Sequence, residues 1–103
     1  MAQLTIVYWR DIPAQVIVKQ GRKTARRELA QRFQEAVDMA AMRAKAVGTD
    51  AYLADWRRSD PEECGDDLEA EADAWRARLE TEYDDARLAQ LIAAKGYTEG
   101  IPS

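Results

Sequence analysis

The 103-residue sequence contains no histidine and only one cysteine, Cys64. Without an imidazole, the commonest general base at neutral pH is missing, and the Ser-His-Asp and Cys-His nucleophile arrangements are excluded. Zinc sites that use histidine are excluded too, and one thiol can form neither an intrachain disulfide nor a thiolate cluster. We therefore predict that the protein is not an enzyme and binds no cofactor or metal.

Long hydrophobic runs are also missing. The apolar stretch at residues 4–9 is too short for the core of a signal peptide, and no positively charged segment precedes it. No other stretch approaches the ~20 apolar residues that a membrane span needs. Since the cysteine is also unpaired, we expect a cytoplasmic protein without a membrane partner.

Glycine and proline are few, at 5 and 3 residues, whereas hydrophobic residues make up 47% of the chain. This composition is typical of one small globular domain. We predict a single α+β domain over residues 1–96. Residues 97–103 contain Gly100 and Pro102, and we predict that they form a loose tail.

Charge is distributed unevenly along the chain. Residues 1–50 carry nine basic and five acidic side chains, whereas residues 51–103 carry six and fourteen, for a net charge of −4. Such asymmetry is typical of a polar interaction surface. It is equally typical of two solvated helix faces that attract each other weakly across the fold.

The first strands are predicted from two runs of β-branched residues, at 4–9 and 14–19, separated by a short turn with Asp11 and Pro13. This pattern indicates a β-hairpin. Pro13 belongs in the turn or at the first position of the second strand, because it has no N–H to donate. Gly21 would end the second strand.

Three helices are predicted next. From Lys23 onwards the apolar residues recur at spacings of three and four, which predicts a long helix capped by Thr24 and stopped by Gly48. A second helix would open at Asp66, and a third would start at Asp84 or Asp85 and end at residues 95–96.

Residues 49–58 fit either a short helix or a third strand, and we favour a strand that covers at least 54–58. The predicted order is β-β-α-β-α-α. It gives an α+β fold with a three-stranded antiparallel sheet, in the order 2-1-3, and with helices packed on one face. The other face would then present Tyr8, Lys19 and a tryptophan to a partner.

Two clusters are candidate sites. The first, at the hairpin tip and on the third strand, combines residue types that are enriched in binding hot spots: Tyr8, Trp9, Arg10, Asp11, Trp56 and Arg57. The alternative is that the arginine and aspartate shape the turn and that both tryptophans belong to the core.

The second cluster is basic and lies at the start of the predicted long helix: Arg22, Lys23, Arg26 and Arg27. A helix N-terminus with added cations would bind phosphate. The pI of about 4.8 argues against a nucleic-acid partner. The acidic string at residues 60–73 lacks the spacing of a calcium loop, and its carboxylates disfavour a thiolate at Cys64.

Several segments together resemble a known family: YWRDIPAQV (8–16), KQGR (19–22), REL (27–29), RF (32–33), AAMR (40–43), DAYL (50–53) and WRR (56–58). Over roughly residues 4–95 the chain is similar to the small virulence factor domain. That family occurs mostly in alphaproteobacteria and is related to a segment of conserved virulence factor C. The resemblance implies no reaction and no catalytic residues. It does imply gene neighbourhoods that contain folate- and corrinoid-dependent one-carbon enzymes.

These observations favour a non-enzymatic accessory module that binds a larger cytoplasmic protein through the sheet face and the hairpin tip. The link to one-carbon metabolism or to virulence regulation comes from the resemblance alone. A phosphate-ligand or nucleic-acid binding protein that uses the basic cluster is the alternative. A homodimer is also open, because small alanines recur along the long helix.

Overall fold

The computed structural model describes residues 2–45 and 49–98. Over these ranges the chain forms a five-stranded antiparallel sheet and four helices. The elements are β1 (Ala2–Trp9), β2 (Ile12–Gln20), β3 (Lys23–Glu28), α1 (Gln31–Arg43), α2 (Thr49–Ala54), β4 (Trp56–Arg58), β5 (Glu62–Cys64), α3 (Leu68–Glu82) and α4 (Asp85–Ala93). The strand order is β3-β2-β1-β4, and β5 pairs with β1 on the same side as β4.

The predicted hairpin is confirmed. β1 and β2 pair from Gln3 opposite Lys19 to Trp9 opposite Ile12, with a bulge after Val7. β4 pairs with the other side of β1, so the predicted order 2-1-3 describes β2, β1 and β4. The α+β class is confirmed as well, but the prediction of three strands is wrong because β3 and β5 extend the sheet.

The start of the predicted long helix is wrong. Residues 23–28 form β3, which pairs with β2 over its whole length. The turn between the two strands contains only Gly21 and Arg22, and Gly21 has a φ of 60°, which glycine adopts without strain. α1 therefore begins at Gln31. The proposed cap Thr24 lies in a strand, and the proposed stop Gly48 lies outside the described residues.

Residues 49–58 contain both structures that the sequence left open. α2 takes the first six residues, and the strand is limited to Trp56–Arg58. β4 and β5 form one edge of the sheet with a gap between them. Ser59 bridges this gap: its N–H donates to the carbonyl of Ile6, and its Oγ accepts the N–H of Ile6, both at 2.9 Å.

The last two helices are capped at their N-termini by aspartates. Asp67, one residue after the predicted start, accepts the N–H of Ala70, and Asp84, one of the two predicted caps, accepts the N–H of Arg87. The first turn of α1 has no side-chain cap of its own. Instead, the carboxylate of Glu80 on α3 accepts the N–H of Ala30 at 2.9 Å.

The core lies between one face of the sheet and helices α1, α3 and α4. Its largest fully buried side chains are Trp9, Phe33, Ile12, Leu91, Val16, Val18, Val37 and Pro13. Tyr8 lies on this helix-covered side, in a cleft with Trp75, Leu79 and Tyr83 of α3 and its C-cap. The expectation that Tyr8 faces outward on the free side of the sheet is therefore wrong.

Candidate functional site

Trp9 is part of the core. Its side chain is fully buried, and its Nε1 donates to the carbonyl of Tyr52 at 2.9 Å. The ring stacks on Tyr52 at 5.9 Å between centroids, and Tyr52 meets Trp56 edge-on at the same distance. Trp9 and Trp56 are neighbours across the β1–β4 pair, as expected. Only Trp56 is partly exposed, so Trp9 cannot offer its side chain to a partner.

Arg10, at the hairpin tip, is satisfied by the chain itself. Its Nε donates to the carboxylate of Asp55 at 3.1 Å, and its Nη1 donates to the carbonyl of Lys95 at 2.7 Å. The guanidinium lies between two rings, 4.7 Å from the centroid of Trp9 and 4.6 Å from that of Tyr97. Only 12% of the Arg10 side chain is exposed, so most of its binding capacity is used within the fold.

Asp11 completes this network. One carboxylate oxygen accepts Nη2 of Arg57 at 3.1 Å, and the other accepts the N–H of Thr98 at 2.7 Å. Its own N–H donates to the carbonyl of Gly96 at 2.8 Å. Arg57 also donates to the carbonyl of Arg10 and lies over the ring of Tyr8.

We call this set of contacts the clasp: Trp9, Arg10, Asp11, Asp55, Arg57, Lys95, Gly96, Tyr97 and Thr98. It ties the hairpin tip to β4 and to the chain that follows α4. The sequence left open whether Arg10 and Asp11 bind a partner or shape the turn. Their contacts within the chain agree with the second interpretation. Tyr97 and Thr98 belong to the clasp although the sequence assigned them to the tail; residues 99–103 lie outside the described residues.

The side of the sheet opposite the helices carries a groove of about 340 Å³. It is lined only by strand residues: Val7, Gln15, Ile17, Arg26, Trp56, Arg57 and Arg58. We call this side of the sheet the open face, since none of the described helices lines the groove. Lys19, predicted to lie on a free face, is exposed here.

The floor of the groove is apolar and its walls are cationic. Val7 is 9% exposed and Ile17 is 6% exposed, although none of the described helices lines the groove above them. Arg58 lies opposite Val7 in the β1–β4 pair, and Arg26 lies opposite Ile17 in the β2–β3 pair. These two long side chains therefore flank the floor from both edges of the sheet.

Arg26 and Arg58 carry uncompensated charge. Both are exposed, and neither takes part in an ion pair among the described residues. The lining of this part of the groove contains no acidic residue. A surface of net positive charge thus lies on a chain whose total charge is −4. Such a surface attracts anionic groups.

A second lobe continues the groove towards the start of α1. Its volume is about 360 Å³, and it shares Gln15 and Trp56 with the first lobe. Its remaining lining is Ala14, Glu28, Leu29, Gln31 and Gln34. The amides of three glutamines can donate and accept hydrogen bonds, so this lobe suits the backbone of a bound chain better than a charged group.

The predicted phosphate site is not assembled as expected. Arg22 lies in the β2–β3 turn, and Lys23, Arg26 and Arg27 lie in β3, so none of them is on the first turns of a helix. Arg27 is neutralised by α3: it pairs with Glu69 and, at 2.7 Å, with Asp73, and these carboxylates raise the pKa of its guanidinium. The helix dipole that the hypothesis used does not act at this cluster.

Cys64 lies at the end of β5 and is partly buried. Burial, followed by the charges of Glu71 and Asp66, raises the pKa of its thiol. This confirms the expectation that acidic neighbours disfavour the thiolate. Within the described part of the chain, no three or more metal-ligating side chains come together. Among the same residues, no helix is long and apolar enough to cross a bilayer.

Sequence reasoning missed the floor of the groove. Val7 and Ile17 were not singled out, and Arg26 was assigned to a helix. The signal that could have found them is the short turn at Gly21, because a glycine-containing two-residue turn between two extended runs indicates a hairpin. A second hairpin would have placed Arg26 beside Ile17.

Comparison with known proteins gives one family. A family model described as "Virulence factor" matches residues 7–92, which include the hairpin tip, the groove and most of α4. No curated protein matches the chain. No solved structure matches it either.

Proposed function

The chain belongs to the virulence factor family, and we propose that it works as a non-enzymatic accessory module that binds an acidic segment of a partner protein in the groove of the open face. The observation that carries the proposal is the pair of exposed arginines, Arg26 and Arg58, on either side of the Val7–Ile17 floor. Their charge has no partner among the described residues.

The geometry of the groove favours a protein segment over a small anion. Two connected lobes of about 340 and 360 Å³ offer the length of several residues. A phosphate would use only the arginines and leave the apolar floor and the glutamine amides without a role. A peptide uses all three, because it supplies carboxylates, apolar side chains and backbone hydrogen-bonding groups.

The non-enzymatic part of the proposal rests on the side chains available. The sequence has no histidine, and the pKa of its one thiol is raised, so the nucleophile is weak at neutral pH. We extend the proposal to a cytoplasmic partner among folate- and corrinoid-dependent enzymes, on the gene neighbourhoods that the family resemblance implies.

The test is selection of binders from a random dodecapeptide library displayed on phage. We expect enrichment of peptides that carry several Asp or Glu residues next to apolar ones. A labelled copy of the enriched peptide should bind the double variant Arg26→Ala/Arg58→Ala about fivefold more weakly or worse, since each exposed charge pair contributes up to about 1 kcal/mol. Binding should also weaken with added salt.

The matched control removes two arginines from α3. Arg76→Ala/Arg78→Ala changes the net charge by the same amount and removes two exposed side chains on the helix side of the molecule. It should leave peptide binding unchanged. Equal losses in both double variants, or enrichment of no acidic peptide, would refute the groove as the site. Stronger binding of a single-stranded oligonucleotide at the same arginines would assign it to nucleic acid instead.

A further inference from the structure

The two edges of the sheet differ in how well they could pair with another strand. One edge is divided into β4 and β5, each of three residues, with Pro61 in the gap between them. Short and interrupted edges with proline resist pairing with another strand. The other edge is β3, six residues long, in continuous register with β2 and without proline.

The outer side of β3 carries a regular row of backbone groups. The N–H of Leu29 donates to the carbonyl of Ala14 on β2. Because N–H and C=O directions alternate along a strand, Leu29, Arg27 and Ala25 point towards β2. Thr24, Arg26 and Glu28 therefore point away from it.

One hydrogen bond supports this assignment independently. The carbonyl of Arg26 accepts Nη1 of the neighbouring Arg27 at 2.7 Å, which a carbonyl engaged with β2 would not be placed to do. A carbonyl oxygen has two lone pairs, so that of Arg26 can accept a second donor. No described strand pairs with this side of β3.

We propose that β3 accepts a sixth strand from a partner protein, and that this strand carries an acidic residue opposite Arg26. The inference goes beyond the proposed function and shares only Arg26 and Glu28 with it. Backbone hydrogen bonds would provide the affinity, and alternate side chains would provide the specificity.

The charged residues on both faces of the sheet beside β3 determine which side chains the incoming strand can carry. On the open face, the incoming strand would lie beside Thr24, Arg26 and Glu28. A neutral residue is favoured opposite Thr24, an acidic one opposite Arg26 and a basic one opposite Glu28. On the helix side it would lie near Glu69 and Asp73 of α3, whose carboxylates already pair with Arg27. Acidic residues are disfavoured there, so the strand is acidic on one face only.

A second copy of the chain fits this edge poorly. In an antiparallel pair of two copies, the register that uses all three outward residues places Thr24 opposite Glu28 and Arg26 opposite its own copy, and like charges directly opposite each other are destabilising. It would also bring together two open faces with the same unpaired arginines. We therefore assign the edge to a partner strand of the complementary pattern.

The probe is the acetylated and amidated peptide Lys-Val-Glu-Val-Thr-Val, written to lie antiparallel to β3. Its lysine would face Glu28, its glutamate Arg26 and its threonine Thr24. Titration into the ¹⁵N-labelled protein at millimolar concentration should protect the amides of Thr24, Arg26 and Glu28 from hydrogen exchange. The amides of Ala25 and Arg27 already bond to β2 and should change little.

Three control peptides test the binding without any change to the protein. Glu-Val-Lys-Val-Thr-Val has the same composition but places its lysine opposite Arg26, and it should bind more weakly. N-methylation of the glutamate of the probe should abolish binding, because that N–H faces β3. N-methylation of the next valine should leave binding intact, because its N–H points outward.

Variants of the chain separate this inference from the groove. Arg58→Ala should not affect the probe, whereas Thr24→Pro should abolish its binding and Thr24→Val should not. The arginine variants could lose binding of the phage-selected peptides while the probe fails to protect the amides of Thr24, Arg26 and Glu28. That result would refute the proposed sixth strand and leave the groove as the binding site. Protection of the same amides without peptide, in a sedimenting dimer, would assign the edge to a second copy and overturn the partner strand.

Discussion

The clasp and the groove combine the same residue types with opposite outcomes. In the clasp, Trp9 is fully buried and the side chain of Arg10 is 12% exposed. In the groove, Trp56 is partly exposed, and Arg58 is exposed and unpaired among the described residues. An arginine beside a tryptophan can therefore be a structural connector or a free binding group within one small domain.

The position in the sheet explains the difference. β1 is a central strand, and its end meets α2, β4 and the chain after α4, so Arg10 finds acceptors on two segments, at Asp55 and at Lys95. β4 is an edge strand of three residues with a strand on one side only. Arg58 therefore extends over the open face, where no described carboxylate is close enough to pair with it.

The largest effect is expected for Trp9→Ala. It removes a fully buried indole and its hydrogen bond to Tyr52, which should lower the free energy of unfolding by about 3–5 kcal/mol. Trp56→Ala should cost clearly less, because its ring is partly exposed. Urea denaturation followed by circular dichroism measures both. Equal losses would mean that both tryptophans belong to the core and would break the comparison.

Arg10→Ala should have the next largest effect. It leaves Asp55 and the carbonyl of Lys95 without a donor, for a loss of about 2 kcal/mol in the free energy of unfolding. Arg58→Ala is the matched variant and should change stability by less than about 0.5 kcal/mol. Thermal unfolding of the two variants measures this difference in stability. A clearly destabilised Arg58→Ala would contradict the interpretation of the Arg58 side chain as a free binding group.

Gly96→Ala tests how tightly the clasp is closed. Gly96 has a φ of 91°, and an added Cβ would come within 3.1 Å of Cζ3 of Trp9 and 3.2 Å of Cδ of Arg10. The left-handed backbone alone costs a non-glycine residue about 1–2 kcal/mol. Gly65→Ala is the control, because its nearest neighbour is the flexible side chain of Glu71. A smaller loss for Gly96→Ala than for Gly65→Ala would show that the clasp is loose.

Cys64 lies in neither region and gives the smallest effect. Because burial and the carboxylates of Glu71 and Asp66 raise the pKa of its thiol, the thiolate fraction at pH 8 is lower in the folded than in the unfolded chain. Reaction with a disulfide reagent should therefore be slower in buffer than in urea, and its pH midpoint should lie above the ordinary value. Cys64→Ser should leave peptide binding unchanged. A fast-reacting thiol in the folded protein would contradict this.

The sequence predicted the elements whose residues carry a clear local signal. The hairpin of β1 and β2 was identified from its β-branched runs, and Asp84 from its position before a new apolar stripe. β3 was missed because its residues, such as Ala25, Arg26 and Glu28, favour a helix by propensity. Pairing with β2 through the turn at Gly21 overrides that propensity, and only tertiary structure shows it.

The two sites were predictable to different degrees. The residues of the hairpin tip were singled out, but not the partners that occupy them, because Lys95 and Thr98 lie at the other end of the chain. The groove joins Arg26 and Arg58 through three strand pairings, and one of those strands was read as a helix. A site formed by residues from four strands depends on the complete topology and has no local pattern.

The clasp also determines when the domain can be completed during synthesis. Arg10 bonds to a residue 85 positions later, and Asp11 to one 87 positions later. Since a chain grows from its N-terminus, the hairpin can form early and pair with Asp55 and Arg57 next, but its bonds to Lys95 and Thr98 have to wait until these residues have left the ribosome. Closure of the clasp is then a late event in biogenesis, and a nascent chain that stalls before this point exposes its first hairpin to the cell's folding machinery.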